Sequence, residues 1–172
     1  ELDASGNLYI ADYMNNRIQK WEPGASEGTT VAGGNGAGSA VNQLSSPSGI
    51  NLDASGNMYI ADLNNHRIQK WIPGASEGTT VAGGNGYGSD LNQLYSPYGI
   101  TLDAAGNLYV VGKGSDRVMK WSPGATEGIV VAGGNGSGSN LNQLRWPAGI
   151  TLDASGNLYI PDENNHRVVK WA

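Results

Sequence analysis

The residues of this chain that could do chemistry recur at a fixed spacing. An aspartate and an arginine stand five apart as Asp12/Arg17, Asp62/Arg67 and Asp162/Arg167. Such pairs either build a ring of charge or brace a turn through charge-assisted hydrogen bonds. Because they repeat with the framework, we read them as structural ion pairs. The third copy breaks the pattern, with Gly112 at the aspartate position and Asp116 before Arg117, so a different turn is expected there. His66 and His166 fill equivalent positions, while Asn16 and Asp116 fill the other two. Two histidines so far apart share a metal only if their strands converge, and they are read as exposed turn residues. The Asp53–Asn57 turn, Asp-Ala-Ser-Gly-Asn, has the look of a calcium loop but lacks the further carboxylates that a hard cation needs. The glycines of Gly33–Gly38 are not a phosphate loop, since no lysine or helix start follows them. No nucleophile–base pair, metal set or carboxylate dyad is visible, so the sequence predicts no enzyme, no catalytic residue, no metal and no cofactor.

These residues must be carried by a well-packed frame, and the composition sets its terms. The 172 residues are 38% hydrophobic and 15% charged, with 27 glycines and no phenylalanine. That fits one folded domain whose core is filled by Leu, Ile, Val, Tyr and Trp. The net charge of -5 argues against a nucleic-acid partner, which needs clustered Lys and Arg. The absence of cysteine excludes disulfides and thiolate chemistry. No apolar run reaches the roughly 20 residues of a membrane helix, and no membrane insertion is expected. Glu1 in place of a methionine suggests a piece of something longer.

Sliding the chain by fifty residues aligns the segments beginning at Glu1, Asn51, Thr101 and Thr151 without a slip. The chain is thus about 3.4 repeats of 50 residues, in units 1-50, 51-100, 101-150 and an incomplete 151-172. In the second unit four short strands are predicted, at Ser48–Asp53, Met58–Asp62, Arg67–Trp71 and Thr79–Ala82, labelled A to D from inside out. Asp53–Asn57 forms the A–B hairpin, Asn64–His66 a tight turn of Asx type, and Pro73–Gly78 the C–D turn. Repeated four-stranded antiparallel sheets are β-propeller blades, so the expected fold is all-β, as a single segment that is part of a larger or oligomeric ring. Trp21, Trp71, Trp121 and Trp171 close each C strand and are expected to pack between blades. Leu44, Leu94 and Leu144 are expected to plug the seams.

The segments LYIADYMNNRIQKW, MYIADLNNHRIQKW and LYIPDENNHRVVKW, with the connection read at Ala82–Ile100, resemble NHL repeats over essentially the whole chain. The resemblance implies a propeller, commonly of six blades in that family. Some relatives, the peptide-amidating lyases, are metalloenzymes, but their clustered histidines have no match here. The first unit begins inside strand A and the fourth stops before strand D. Either the chain is a window of a larger propeller or copies associate to complete a ring.

Comparison of the internal copies separates frame from variation. The A–B and C–D turns barely change. The B–C turn differs at its first position in every copy, as Tyr13, Leu63, Lys113 and Glu163, and the D–A connection also varies. Both emerge on one face of an up-and-down blade. A one-sided variable surface suits binding, and Tyr87, Tyr95, Tyr98, Arg145 and Trp146 are predicted to form part of it, since Tyr, Trp and Arg anchor interfaces. The expected function is therefore a non-catalytic scaffold that recognises a protein or glycan. A self-assembling homo-oligomer is the first alternative, and a propeller lyase or hydrolase the second. Asn135-Gly136-Ser137 is a glycosylation sequon, which leans towards a secreted or cell-surface setting.

Overall fold

A computed structural model describes all residues, Glu1–Ala172. Its fourteen strands form four antiparallel sheets in simple up-and-down order. Blade 1 contains β1 (Leu8–Asp12), β2 (Arg17–Trp21) and β3 (Thr29–Gly33). Blade 2 contains β4 (Pro47–Leu52), β5 (Met58–Asp62), β6 (Arg67–Trp71) and β7 (Thr79–Gly83). Blade 3 repeats this with β8 (Pro97–Leu102), β9 (Leu108–Gly112), β10 (Arg117–Trp121) and β11 (Ile129–Gly133). Blade 4 contains β12 (Thr151–Leu152), β13 (Leu158–Asp162) and β14 (Arg167–Trp171).

All four strands fall within one residue of the sequence expectation, and strand A is shifted by one residue towards the N-terminus. It starts at Pro47 and ends at Leu52, with a register irregularity between Pro47 and Ile50. Asp53 leaves the strand because its side chain caps the hairpin instead. Its Oδ1 accepts the Ser55 and Asn57 N–H groups, both at 2.9 Å, and its Oδ2 accepts Asn57 Nδ2 at 2.7 Å. All four A–B turns share this set, which occupies both carboxylate oxygens. In the outer copies Asp3 and Asp153, the asparagine amide and backbone donors hold the carboxyl below its usual range.

The core lies in the seams between blades because each strand alternates its side chains between two neighbours. Met58 and Ile60 join Ile18, Ala32, Leu44 and Trp71 between blades 1 and 2. Ala61, Ile68 and Ala82 face the other way and meet Leu94, Ile100, Leu108, Val110, Met119 and Trp121 between blades 2 and 3. Leu144 likewise joins Val111, Val118 and Ala132 to Leu158 and Ile160. Three of the four tryptophans and the connection leucines therefore fill the seams, Trp71 with Leu44, Trp121 with Leu94 and the flanking Trp171 with Leu144, whereas the half-buried Trp21 of blade 1 joins none. At the outer faces the counterpart positions are uncovered: Leu8 and Ile10 on blade 1 and Val168 on blade 4 are exposed.

One seam residue is chemically out of place. Gln69 is fully buried beside Trp71, and both its Oε1 and Nε2 lack hydrogen-bond partners. The third copy puts the buried Met119 there. Gln69→Met is expected to raise the unfolding free energy by about 1–3 kcal/mol, the usual cost of an unsatisfied buried polar group. Chemical denaturation checks this; a loss of stability would mean that the amide has partners in the native seam.

Candidate binding face

The B–C turns of blades 2, 3 and 4 each pack on the connection that leads into the blade, which builds one continuous surface. In blade 2 the Asn64 N–H donates to Ser45 O at 3.2 Å, and Asn65 Nδ2 reaches Gly38 O at 2.8 Å. The turns of blades 1, 2 and 4 are short 3-10 helices, at Tyr13–Asn15, Leu63–Asn65 and Glu163–Asn165. The expected Asx turn is thus replaced by a tighter helical one, closed by a left-handed residue, Asn16, His66 or His166.

That left-handed residue also fastens one blade to the next. Asn16 Oδ1 accepts the Ser46 N–H at 2.9 Å, His66 Nδ1 accepts the Ser96 N–H at 3.2 Å, and Asp116 Oδ1 accepts the Trp146 N–H at 2.7 Å. Asn, His and Asp share an acceptor and a tolerance of positive φ, which explains their interchange. Partial burial lowers the His66 pKa, with Asp62 opposing the shift, and a neutral Nδ1 is what this acceptor role requires. No group of three or more His, Asp or Glu is arranged to hold a metal ion.

The Asp–Arg pairs lie beneath this surface. Arg17, Arg67 and Arg167 each place Nε at 2.7–2.8 Å from Oδ2 of Asp12, Asp62 and Asp162. The outer guanidinium nitrogens of Arg67 donate to the carbonyls of Ser39, Ala40 and Gln43 in the connection. Asp62 and Asp162 also accept Asn65 or Asn165 Nδ2 and the N–H of Ser45 or Arg145. Burial raises the Asp62 carboxyl in spite of these donors. They prevail over burial at Asp162, whose carboxyl is lowered where blade 4 lies open.

Blade 3 has a different turn. Gly112–Asp116 forms no 3-10 helix; the Ser115 N–H bonds to Gly112 O at 3.1 Å, and the Lys113 and Gly114 N–H groups bond to Ser96 O and Tyr95 O, both at 3.1 Å. Gly114 has a steric reason to be glycine, since a Cβ there would lie 2.7 Å from the Tyr95 ring.

Around this turn the structure gathers four of the five residues predicted to bind, in two groups. Tyr87 and Tyr95 stand 5.5 Å apart between ring centres, and each meets His66 edge-on, at 5.7 and 5.9 Å. Lys113 Nζ sits over Tyr98 at 4.6 Å and over Trp146 at 5.3 Å, and pairs with Glu163 at 2.8 Å. Arg145 is exposed and engages through its backbone, its N–H donating to Asp162 and its carbonyl accepting the Asn164 N–H. The residues that join these groups, His66, Lys113, Gly114 and Glu163, were left out of the predicted set. The signal for two of them was present: the B–C turn varies most among the copies, and Lys113 and Glu163 stand at its first position.

Asn135 is exposed, and its Nδ2, the atom that a glycan would modify, donates to Asn142 O at 2.9 Å. Asn35 and Asn85, in copies without a sequon, make the same bond to Asn42 and Asn92. The side chain is a brace of the connection.

These four sheets, stacked seam to seam with strand A innermost, define a β-propeller. The family model of the NHL repeat matches residues 44–71 and 144–171, so the propeller carries NHL repeats at those two positions. No curated protein matches it. Among solved structures it is similar to a chain of a nidogen/laminin complex, with 25% identity, TM-score 0.71, and 96% of this chain and 56% of that one covered. It is also similar to an auxiliary nutrient binding protein from Bacteroides thetaiotaomicron, with 16% identity, TM-score 0.75, and coverage of 98% and 46%. A third likeness is to a streptogramin B lyase, with 13% identity, TM-score 0.61, and coverage of 98% and 52%. The chain spans about half the length of the structures it matches.

Proposed function

We propose that the chain is a segment of a non-catalytic recognition scaffold, and that a protein or glycan docks on the aromatic patch around the blade 3 turn. The observation that carries this reading is Trp146. It is 54% exposed and held at φ 53°, where the other two copies put Ser46 and Ser96. A bulky residue in that conformation is strained, and such strain collects at functional positions. Tyr87, 68% exposed, and Tyr95 extend the patch with rigid amphipathic area of the kind that dominates binding energy. The neighbours described as binding proteins and as a complex agree with this use of the fold. The lyase neighbour brings catalysis to mind, but the histidine nearest the patch spends its Nδ1 on the Ser96 N–H.

The test is selection of ligands from a glycan array and a displayed-peptide library, followed by Tyr98→Ala and Trp146→Ala. Each substitution is expected to weaken the selected ligand by about tenfold or more. Glu77→Ala, in the C–D turn on the opposite face, is expected to leave affinity unchanged. Affinities within twofold for both aromatic variants would place the site elsewhere.

A second reading has its own observation. Leu8 and Ile10, and at the other end Val168, are exposed, whereas their counterparts Met58, Ile60 and Ile68 are buried against a neighbouring blade. A further blade, from a longer chain or from a second copy, would cover them.

A further inference from the structure

In blades 2 and 4 one carboxylate closes the B–C turn, and in both it meets the same donors. Oδ1 of Asp62 accepts the Ser45 N–H at 2.7 Å, and Oδ1 of Asp162 accepts the Arg145 N–H at 2.6 Å. Oδ2 accepts Arg67 or Arg167 Nε at 2.7 Å and Asn65 or Asn165 Nδ2 at 2.8 Å. Blade 3 keeps two of these three donors, the arginine Nε and the backbone N–H, and lacks the acid, because Gly112 stands in its place.

Arg117 is 5% exposed. Its outer nitrogens donate to the carbonyls of Ser89, Asp90 and Gln93, as the other arginines do in their connections. Its Nε is shielded from solvent and has no partner. The Tyr95 N–H, counterpart of the Ser45 and Arg145 groups, also makes no hydrogen bond. Ser115 replaces the turn asparagine; its hydroxyl donates to Gly112 O at 3.4 Å and lies against the place where a Gly112 Cβ would stand, so a ligand there must turn it aside. Asp90 acts on the guanidinium from farther away, through an exposed side chain, and forms no ion pair with it. Blade 3 therefore holds a buried cation whose Nε, like the Tyr95 N–H, lacks the carboxylate that its counterparts meet in blades 2 and 4.

We propose that this position in blade 3 binds the carboxylate group of a small free acid, with one oxygen on Arg117 Nε and the other on the Tyr95 N–H, and with the Ser115 hydroxyl beside them. Burial without an opposite charge is costly for a guanidinium, and a carboxylate supplies both the charge and the two-oxygen geometry. The Ser115 hydroxyl takes part of the space that an aspartate side chain would fill, so the acid is of formate size. The site lies under the proposed binding face but does not depend on it, since its evidence is internal to the turn.

The test is a titration of the isotope-labelled chain with sodium formate against sodium chloride at equal ionic strength, followed by NMR. The Tyr95 amide and Arg117 Nε–H signals are expected to move saturably with formate and not with chloride, while the Ser45 and Arg145 amides, already bonded to Asp62 and Asp162, stay fixed. Gly112→Asp is expected to abolish the response by filling the site from within. Signals of Tyr95 and Arg117 that stay still, that follow chloride equally, or that still follow formate in Gly112→Asp would overturn the proposal. If that variant does not fold, the wild-type contrast between Tyr95 and its two counterparts still decides. Ligand selections on the face are read separately, so either idea can fail alone.

Discussion

Asp62→Ala is expected to lower the unfolding free energy by about 3–5 kcal/mol, the range for removing one partner of a buried ion pair. The carboxylate is fully buried, and three donors converge on it: Arg67 Nε, Asn65 Nδ2 and the Ser45 N–H. Removing it leaves a buried cation and an unpaired backbone donor in one step. The same change at the edge should cost far less. Asp12 and Arg17 are 25% and 34% exposed, and Asp12→Ala is expected to cost about 1 kcal/mol or less, as exposed pairs do. Blade 3 tolerates the loss with a serine hydroxyl at the gap and Asp90 nearby, whereas blade 2 has Asn65 and Ala40 at those positions. Replacing Arg67 by Met in the Asp62→Ala background should recover part of the loss. Urea unfolding of the three variants measures all of this, and equal costs at Asp62 and Asp12 would show that burial does not set the strength of the pair.

Gly99→Ala is expected to be strongly destabilising for a change of a single methyl group. The innermost strands of neighbouring blades converge here, and a Cβ on Gly99 would lie 2.7 Å from Gly149 Cα and 3.1 Å from its carbonyl carbon. Those atoms are backbone, so no side chain can rotate away and β8 must part from the next blade. Overpacking of this kind costs about 1–3 kcal/mol and more where the frame cannot relax. The hydrogen bonds of Ser48 Oγ to Pro97 O at 3.2 Å and Tyr98 O at 3.1 Å show how closely β4 and β8 already approach. Gly149 is the internal control. A Cβ there would meet only Pro161, at 3.6 and 3.8 Å, and Gly149→Ala is expected to change stability by about 0.5 kcal/mol or less. A tolerated Gly99→Ala would mean that the strands are farther apart in solution.

The two pairs of variants also mark how far the sequence can be read. The fifty-residue period, the alternation of apolar residues in each strand and the DASGN turns are local properties, complete within one unit. They determined the blade, its strand order and the class of fold. Aromatic residues restricted to turns and connections of one edge were legible for the same reason, because adjacent hairpins of an up-and-down sheet emerge on alternate edges. The boundary of strand A was misplaced at Asp53 because its side chain could serve a strand end or a cap, and only the hydrogen bonds to Ser55 and Asn57 decide between them.

What lay beyond the sequence is contact between blades. His66 looked like a surface turn residue, yet it accepts a backbone proton thirty positions away in the next connection. Gly99 looked like any strand glycine until Gly149 was placed against it. The gap at Gly112 was visible as a missing aspartate, but the unpaired Arg117 Nε and Tyr95 N–H that give it meaning were not. A repeat specifies that successive blades are alike. The distance and rotation between them arise from the packing of Leu44, Leu94, Leu144 and the tryptophans in the seams, and that geometry decides which side chains of different units meet.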